Sequence, residues 1–358
     1  MISISLCMIV KNEEEVIGRC LESVKDLVDE INIVDTGSTD KTKEIVSTFT
    51  DRIFDFEWIH NFAAARNFSF QQATKDYILW LDADDVFLEE DQEKFKRLKE
   101  TLSPDVDAVS MIYNLGFDND GNVTALLRRN RLAKRSKNFQ WIGEVHEYLA
   151  VYGNIYQGDL AVSHLPLSHD TNRNIGIYEK MLEAGKDFSP RDLYYYANEL
   201  ADHGNYLQAI EKYEEFLDTK QGWVEDNIRA CFRLADCYSE LKEKDKAITA
   251  TLRTFSYDMP RPEACCRIGF YFMDLNKNNE AIYWYKQALL HSTSVESSIS
   301  LQNPAFSTWL PHLQLCVLYD RLKDYQTAYM HNELAGKYIP NSEKVLYNKK
   351  YFDNILFK

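Results

Sequence analysis

The stretch YILWLDADDV, Tyr77 to Val86, ends an apolar and aromatic run with Asp82, Asp84 and Asp85. Three carboxylates in four positions repel one another unless a metal ion, a basic patch or water sits among them. Two aspartates separated by one residue can hold a hard cation such as Mg2+ or Mn2+, whose remaining sites accept diphosphate oxygens. Such an ion neutralises charge that builds on a leaving nucleoside diphosphate. Alone, a short acidic loop also serves as a solvated turn or a helix cap, so its neighbours decide its meaning.

The elements around it are those of an alternating chain. ISLCMIV is a β-branched apolar run followed by NEEEVIGRCLESV, where Val16, Cys20, Leu21 and Val24 recur at helical spacing. EINIVDTGSTDKTKEIVSTF repeats the plan, with Gly37 in the turn and a helix from near Lys41. RIFDF reads as a third strand, FAAARNFSFQQA as a helix and DYILWLDADDV as the next strand with its loop. Strand-helix alternation predicts an α/β domain with a largely parallel sheet. In such sheets ligands gather at the carboxyl ends of strands, where Lys11, Asn12 and Glu13, Asp35, and Asp82, Ala83 and Asp84 all fall. Neither glycine-rich phosphate motif is present, which disfavours dinucleotide and P-loop chemistry.

The chain has 358 residues, enough for two domains, and a net charge of −15 that argues against a coat for nucleic acid or anionic lipid. Its seven cysteines form no C-x-x-C pair, and Cys265 and Cys266 are adjacent, a pattern of reduced, buried thiols. No signal peptide or transmembrane helix is expected, so a soluble cytoplasmic protein is the expectation.

Near Ser189-Pro190 the character changes to helical repeats rich in Tyr, Leu, Ala, Glu and Lys. Ala209, Ala247, Ala281 and Ala328 fall in register, and the small residues Ala197, Ala235, Gly269 and Cys316 stand at one fixed distance before them. Small residues at both positions let paired helices pack closely, and the pattern resembles the tetratricopeptide hairpin of about 34 residues. The Ser-rich HSTSVESSISLQNPAF should be a loop between repeats.

With MIVKNEEEVIGRCLESV, IVDTGSTDKT, FAAARNFSFQQATKDYILWLDADD and WIGEVHEYL in this order, the first part resembles the family-two inverting glycosyltransferases of GT-A fold. With repeats behind it, the whole resembles the tetratricopeptide-bearing bacterial glycosyltransferases, whose members include enzymes that glycosylate Cys or Ser of glycocin peptides.

The resemblance implies that Asp35 contacts the nucleotide base, with Val10, Lys11 and Glu13 beside the nucleoside. It implies that Arg66 and Asn67 approach the donor from a helix, that Asp82 faces the ribose or the metal's water, with Ala83 beside it, and that Asp84 ligates the metal. Asp85 is either second to these or a cap for the segment from Leu88. Glu147 is the expected general base, with Glu144 as rival, because inverting displacement needs a carboxylate opposite the leaving group. His146 would complete the metal site or orient Glu147. In the basic run from Arg128 to Lys137, Arg131 is placed near phosphate or acceptor, whereas Trp141 either stacks on a sugar or fills the core. Asn172 to Met181 reads as a helix joining the two parts.

The expectation is therefore a GT-A domain over 1–165, a linker helix over 166–189 and a repeat domain over 190–358. It would use Mg2+ or Mn2+ to move a hexose from a UDP-sugar to an acceptor, with a peptide Cys, Ser or Thr first and a cell-surface glycan second. The repeats would contact the acceptor or form a homodimer. A tetratricopeptide adaptor with a decayed transferase domain is the non-enzymatic alternative.

Overall fold

A computed structural model of the chain describes residues 1–118, 121–167, 172–290 and 303–356. They form two compact units, one from Met1–Gly116 with Leu126–Ala184, the other from Phe117–Ala125 and the described residues from Gly185 onward.

The first unit begins β1 (Ile4–Val10), α1 (Ile17–Val24), β2 (Glu30–Asp35), α2 (Thr42–Val46), β3 (Ile53–Asp55), α3 (Phe62–Gln71) and β4 (Tyr77–Trp80). It continues with β5 (Asp85–Val86), α4 (Glu89–Thr101), β6 (Ala108–Phe117), β7 (Val123–Lys134), β8 (Trp141–Ile142), β9 (Tyr148–Leu149), β10 (Ile155–His164) and α5 (Asn172–Glu183). β1 is apolar on both faces because it lies inside the sheet, flanked by β2 and β4 in parallel pairing. α1 buries Ile17, Cys20, Leu21 and Val24, one face of an amphipathic helix. Leu6, Met8, Ile33, Leu79, Phe87, Phe95 and Leu132 share the core.

The sheet order is β3-β2-β1-β4-β7-β6-β10-β5. The alternating part of the sequence yields the parallel half, as expected. The parallel pairing extends beyond it, since β10 pairs parallel with β6, whereas β7 runs antiparallel to β4 and β5 antiparallel to β10, so the sheet as a whole is mixed. β8 and β9 form a separate two-stranded ribbon. α5, read from sequence as a joining helix, lies within the first unit.

The second unit is helical: α6 (Pro190–Asp202), α7 (Tyr206–Thr219), α8 (Val224–Glu240), α9 (Lys244–Arg253), α10 (Pro262–Asp274), α11 (Asn278–Leu290), α12 (Trp309–Arg321), α13 (Tyr325–Gly336) and α14 (Glu343–Leu356). Each expected pair of small residues spans one helical hairpin, from Ala197 and Ala209 in α6 and α7 to Cys316 and Ala328 in α12 and α13. At Gly269 the approach is close enough that an added Cβ would lie 3.0 Å from the Tyr285 ring. All four hairpins turn through a left-handed residue: Gly204, Lys242, Asn276 and Lys323. The next N–H reaches back to Leu200, Tyr238, Phe272 and Tyr319 respectively, which satisfies carbonyls at each first helix's end. Most of the Ser-rich insertion, 291–302, lies outside the described residues, and its end forms a 3-10 turn at Pro304–Ser307.

Candidate active site

β1, β2 and β4 end side by side, and the loops leaving them are bonded together. Asn12, in left-handed backbone, accepts from Thr39 N at 2.8 Å, while Glu13 N donates to Thr42 Oγ1 at 2.7 Å and Lys41 N donates to Glu14 Oε2 at 2.9 Å. Val10 is buried at the end of β1, with its carbonyl accepting from Thr36 N, and Lys11 beyond it is exposed. Asp35 is buried; its Oδ1 accepts from Gly37 N and Ser38 N, both at 2.9 Å, and its Oδ2 has no hydrogen-bond partner. A recess of about 150 Å3 is lined by Asn12, Glu13, Asp40, Asp84 and Leu167. In it burial, together with the negative charges of Asp84 and Asp82, pushes the Glu13 carboxyl up to about 7.

The three aspartates after β4 have three different environments. Asp82 Oδ1 accepts from Arg66 Nη2 at 2.7 Å. Against the cost of burial, Arg66 and then Arg131 hold its carboxyl well below the usual carboxylate range. Asp85 is fully buried: its Oδ2 accepts from Asp82 N and pairs with Arg131 Nη1, each at 2.9 Å, and its Oδ1 accepts from Tyr113 at 2.9 Å. Asp84 Oδ1 lies 3.3 Å from His164 Nδ1, which is also 3.5 Å from Asp85 Oδ1. Although burial opposes charge on this ring, its bonds to Asp84 and Asp85 raise it to about 9. Ala83, between Asp82 and Asp84 in the chain, is buried in the core.

Among the described residues, Asp84, Asp85 and His164 are the group whose ligand atoms, within 4.8 Å of one another, could hold a metal ion. His146, expected there from sequence, is not in that group. Its backbone is left-handed and its ring stacks on Tyr178, 6.3 Å between centroids. His164 carried no local signal: it arrives because β10 pairs antiparallel with β5, opposite Asp85.

One further expectation is corrected, and Asn67 gains a structural role: it bonds the backbone of Trp141 at both ends of its amide, donating to O at 3.0 Å and accepting from N at 2.8 Å. Arg131 has no exposed surface; its guanidinium lies 3.9 Å from the Trp80 ring centre and 4.3 Å from that of Tyr113. It acts on the site through Asp85 and cannot reach a phosphate or acceptor. The cap expected of Asp85 is absent too, since α4 starts without a side-chain cap.

Arg66 is also turned inward. Its Nε donates to Glu147 Oε1 at 2.5 Å, so one guanidinium joins Glu147 to Asp82. Glu144 gives its carbonyl to Phe62 N at 2.8 Å. Trp141 is buried in a cluster with Trp80 and Phe139, which settles it as core.

An α/β sheet with a D-x-D turn at its carboxyl edge, followed later in the chain by helical hairpin repeats, is the class that the geometry defines. Residues 5–153 match the Glycosyl transferase family 2 family, and residues 228–251 match a tetratricopeptide repeat. The chain is similar to a TPR repeat-containing protein of Synechococcus elongatus, 47% identical over 25% of this chain and 22% of that one. Glycosyltransferase SunS of Bacillus phage SPbeta is 28% identical over 60% of this chain and 52% of its own length. The lipopolysaccharide core biosynthesis glycosyltransferase LpsC of Rhizobium meliloti is 28% identical over 42% of this chain and 58% of its own. The chain spans between about a fifth and three fifths of these relatives' lengths.

Proposed function

We propose that the protein is a metal-dependent inverting glycosyltransferase that moves a hexose from a UDP-sugar to an acceptor. One observation carries the reading: Arg66 and Arg131 engage Asp82 and Asp85, and Asp84 stands beside His164 with its carboxylate available to a ligand. A carboxylate oxygen with an imidazole nitrogen is a donor set that fits Mn2+, and Mg2+ less closely. Asp84 and His164 would hold the ion, with Asp85 behind them. Bound there, it would supply neutralising charge to a departing diphosphate.

The chain's own groups do the rest. The unpartnered Oδ2 of Asp35 is an acceptor for a base N–H, with Val10, Lys11 and Glu13 beside the nucleoside. Glu147 takes the acceptor's proton as it attacks the anomeric carbon, and the diphosphate leaves from the opposite side. Residues 1–165 carry this chemistry, with α5 part of the same unit, and 190–358 bind the acceptor.

For that acceptor a peptide Cys, Ser or Thr is the first reading, since repeat arrays offer extended surfaces suited to polypeptide. A glycan is the second, and the similarity to a lipopolysaccharide core glycosyltransferase favours it. The test is UDP release from a panel of UDP-sugars with Mn2+, with peptides or glycans added and with EDTA as control. Release that depends on metal and rises with one acceptor class supports the reading. No release and no donor binding across the panel would leave a non-catalytic adaptor as the better account.

A further inference from the structure

We propose that Arg66 is a positioning residue that sets the place of the Glu147 carboxylate, and that α3 is the brace through which it does so. The proposal rests on reading Glu147 as the acceptor's base.

The segment 141–147 has little regular structure to fix it. It contains two left-handed residues, Gly143 at φ 105° and His146 at φ 50°, and β8 spans only two residues. It folds back so closely that a Cβ on Gly143 would lie 3.3 Å from Glu147 Cα. α3 supplies the missing order at three points. Phe62 N donates to the Glu144 carbonyl, Asn67 clamps the backbone of Trp141 with two bonds, and Arg66 Nε holds the Glu147 carboxylate. α3 is itself fixed at its start, where Asn61 Oδ1 accepts from Ala64 N at 2.8 Å.

The Arg66 guanidinium is fixed too. It lies 4.8 Å from the Trp141 ring centre and 5.0 Å from that of Trp80, and the residue is 7% exposed. Its other edge reaches Asp82 through Nη2, so one rigid fork ties the carboxylate beside the metal site to the carboxylate on the acceptor side. A planar guanidinium can serve two carboxylates and two aromatic faces together, which a lysine ammonium cannot. The adjacent residues Arg66 and Asn67 thus act as an internal brace rather than as donor contacts.

The test is a cycle of Arg66→Lys, Glu147→Gln and the double variant, with transfer kcat and donor KM measured on the full chain. A displaced base costs about 100-fold in rate. Arg66→Lys should lower kcat by about that factor, leave donor KM within about threefold, and cost nothing more in the Glu147→Gln background. A raised KM with kcat retained, or an equal loss in both backgrounds, overturns the proposal. Should Arg66→Lys fail to fold, Gly143→Ala displaces Glu147 without touching Arg66: lost kcat with donor KM held supports the brace, and unchanged kcat overturns it. Full transfer by Glu147→Gln overturns the base reading and this proposal together. Full transfer by Arg66→Lys beside a Glu147→Gln variant reduced to residual transfer overturns this proposal alone.

Discussion

Arg131 and Asp85 form an ion pair at 2.9 Å with neither side chain exposed, directly beneath the D-x-D turn. The cation lies between the rings of Trp80 and Tyr113, and the anion is bonded to the Asp82 backbone. The pair therefore fixes the turn that presents Asp84.

Removing one partner of such a pair strands a buried charge. Arg131→Met should cost about 3–5 kcal/mol of stability, read as a lower urea midpoint at unchanged slope. Arg131→Lys should also be destabilised, because an ammonium does not fill a flat slot between two rings. Wild-type midpoints in both variants would show that the pair contributes nothing.

The site geometry separates two histidines. His164→Gln should weaken Mn2+ binding by about tenfold or more, whereas His146→Gln should leave it near wild type, as read by titration calorimetry. The reverse ranking would return the metal site to the segment 141–147.

What the sequence made legible was local. The apolar run into Asp82, the amphipathic α1 and the recurring alanines of the repeats each follow from periodicity within one or two elements. The role of His164 depends on which residue of β10 stands opposite Asp85, and strand register across the sheet is not written in either segment alone. The burial of Arg131 and the inward turn of Arg66 and Asn67 were hidden for the same reason, since their partners lie far along the chain. The shared hairpin turn escaped notice because only Gly204 among its four left-handed residues is a glycine.

A pH dependence follows from Glu30, far from the metal site. Burial opposes its charge, but bonds from Asn32, Thr74 and Ser5 hold its carboxyl at about 2. Its folded value lies below its ordinary one, so the stability it contributes is complete above the unfolded value and is lost as pH falls through the folded one. Urea stability should decline between about pH 5 and pH 2, and Glu30→Gln should flatten part of that decline. An identical decline in the variant would assign the acid sensitivity to other groups.

In the repeats, Gly269 is held against Tyr285. Gly269→Leu should destabilise by about 1–3 kcal/mol through overpacking, despite the better helix propensity of leucine. A rise in thermal midpoint would mean that α10 and α11 can separate without cost.

The central claim is tested most directly by donor binding and transfer measured side by side in wild type, Asp84→Asn and Glu147→Gln, with Mn2+ present. The account predicts that Asp84→Asn folds but loses metal-dependent donor binding and turnover, and that Glu147→Gln binds donor as wild type yet transfers sugar only at a small residual rate. Wild-type turnover in Asp84→Asn, unaltered by EDTA, would contradict it.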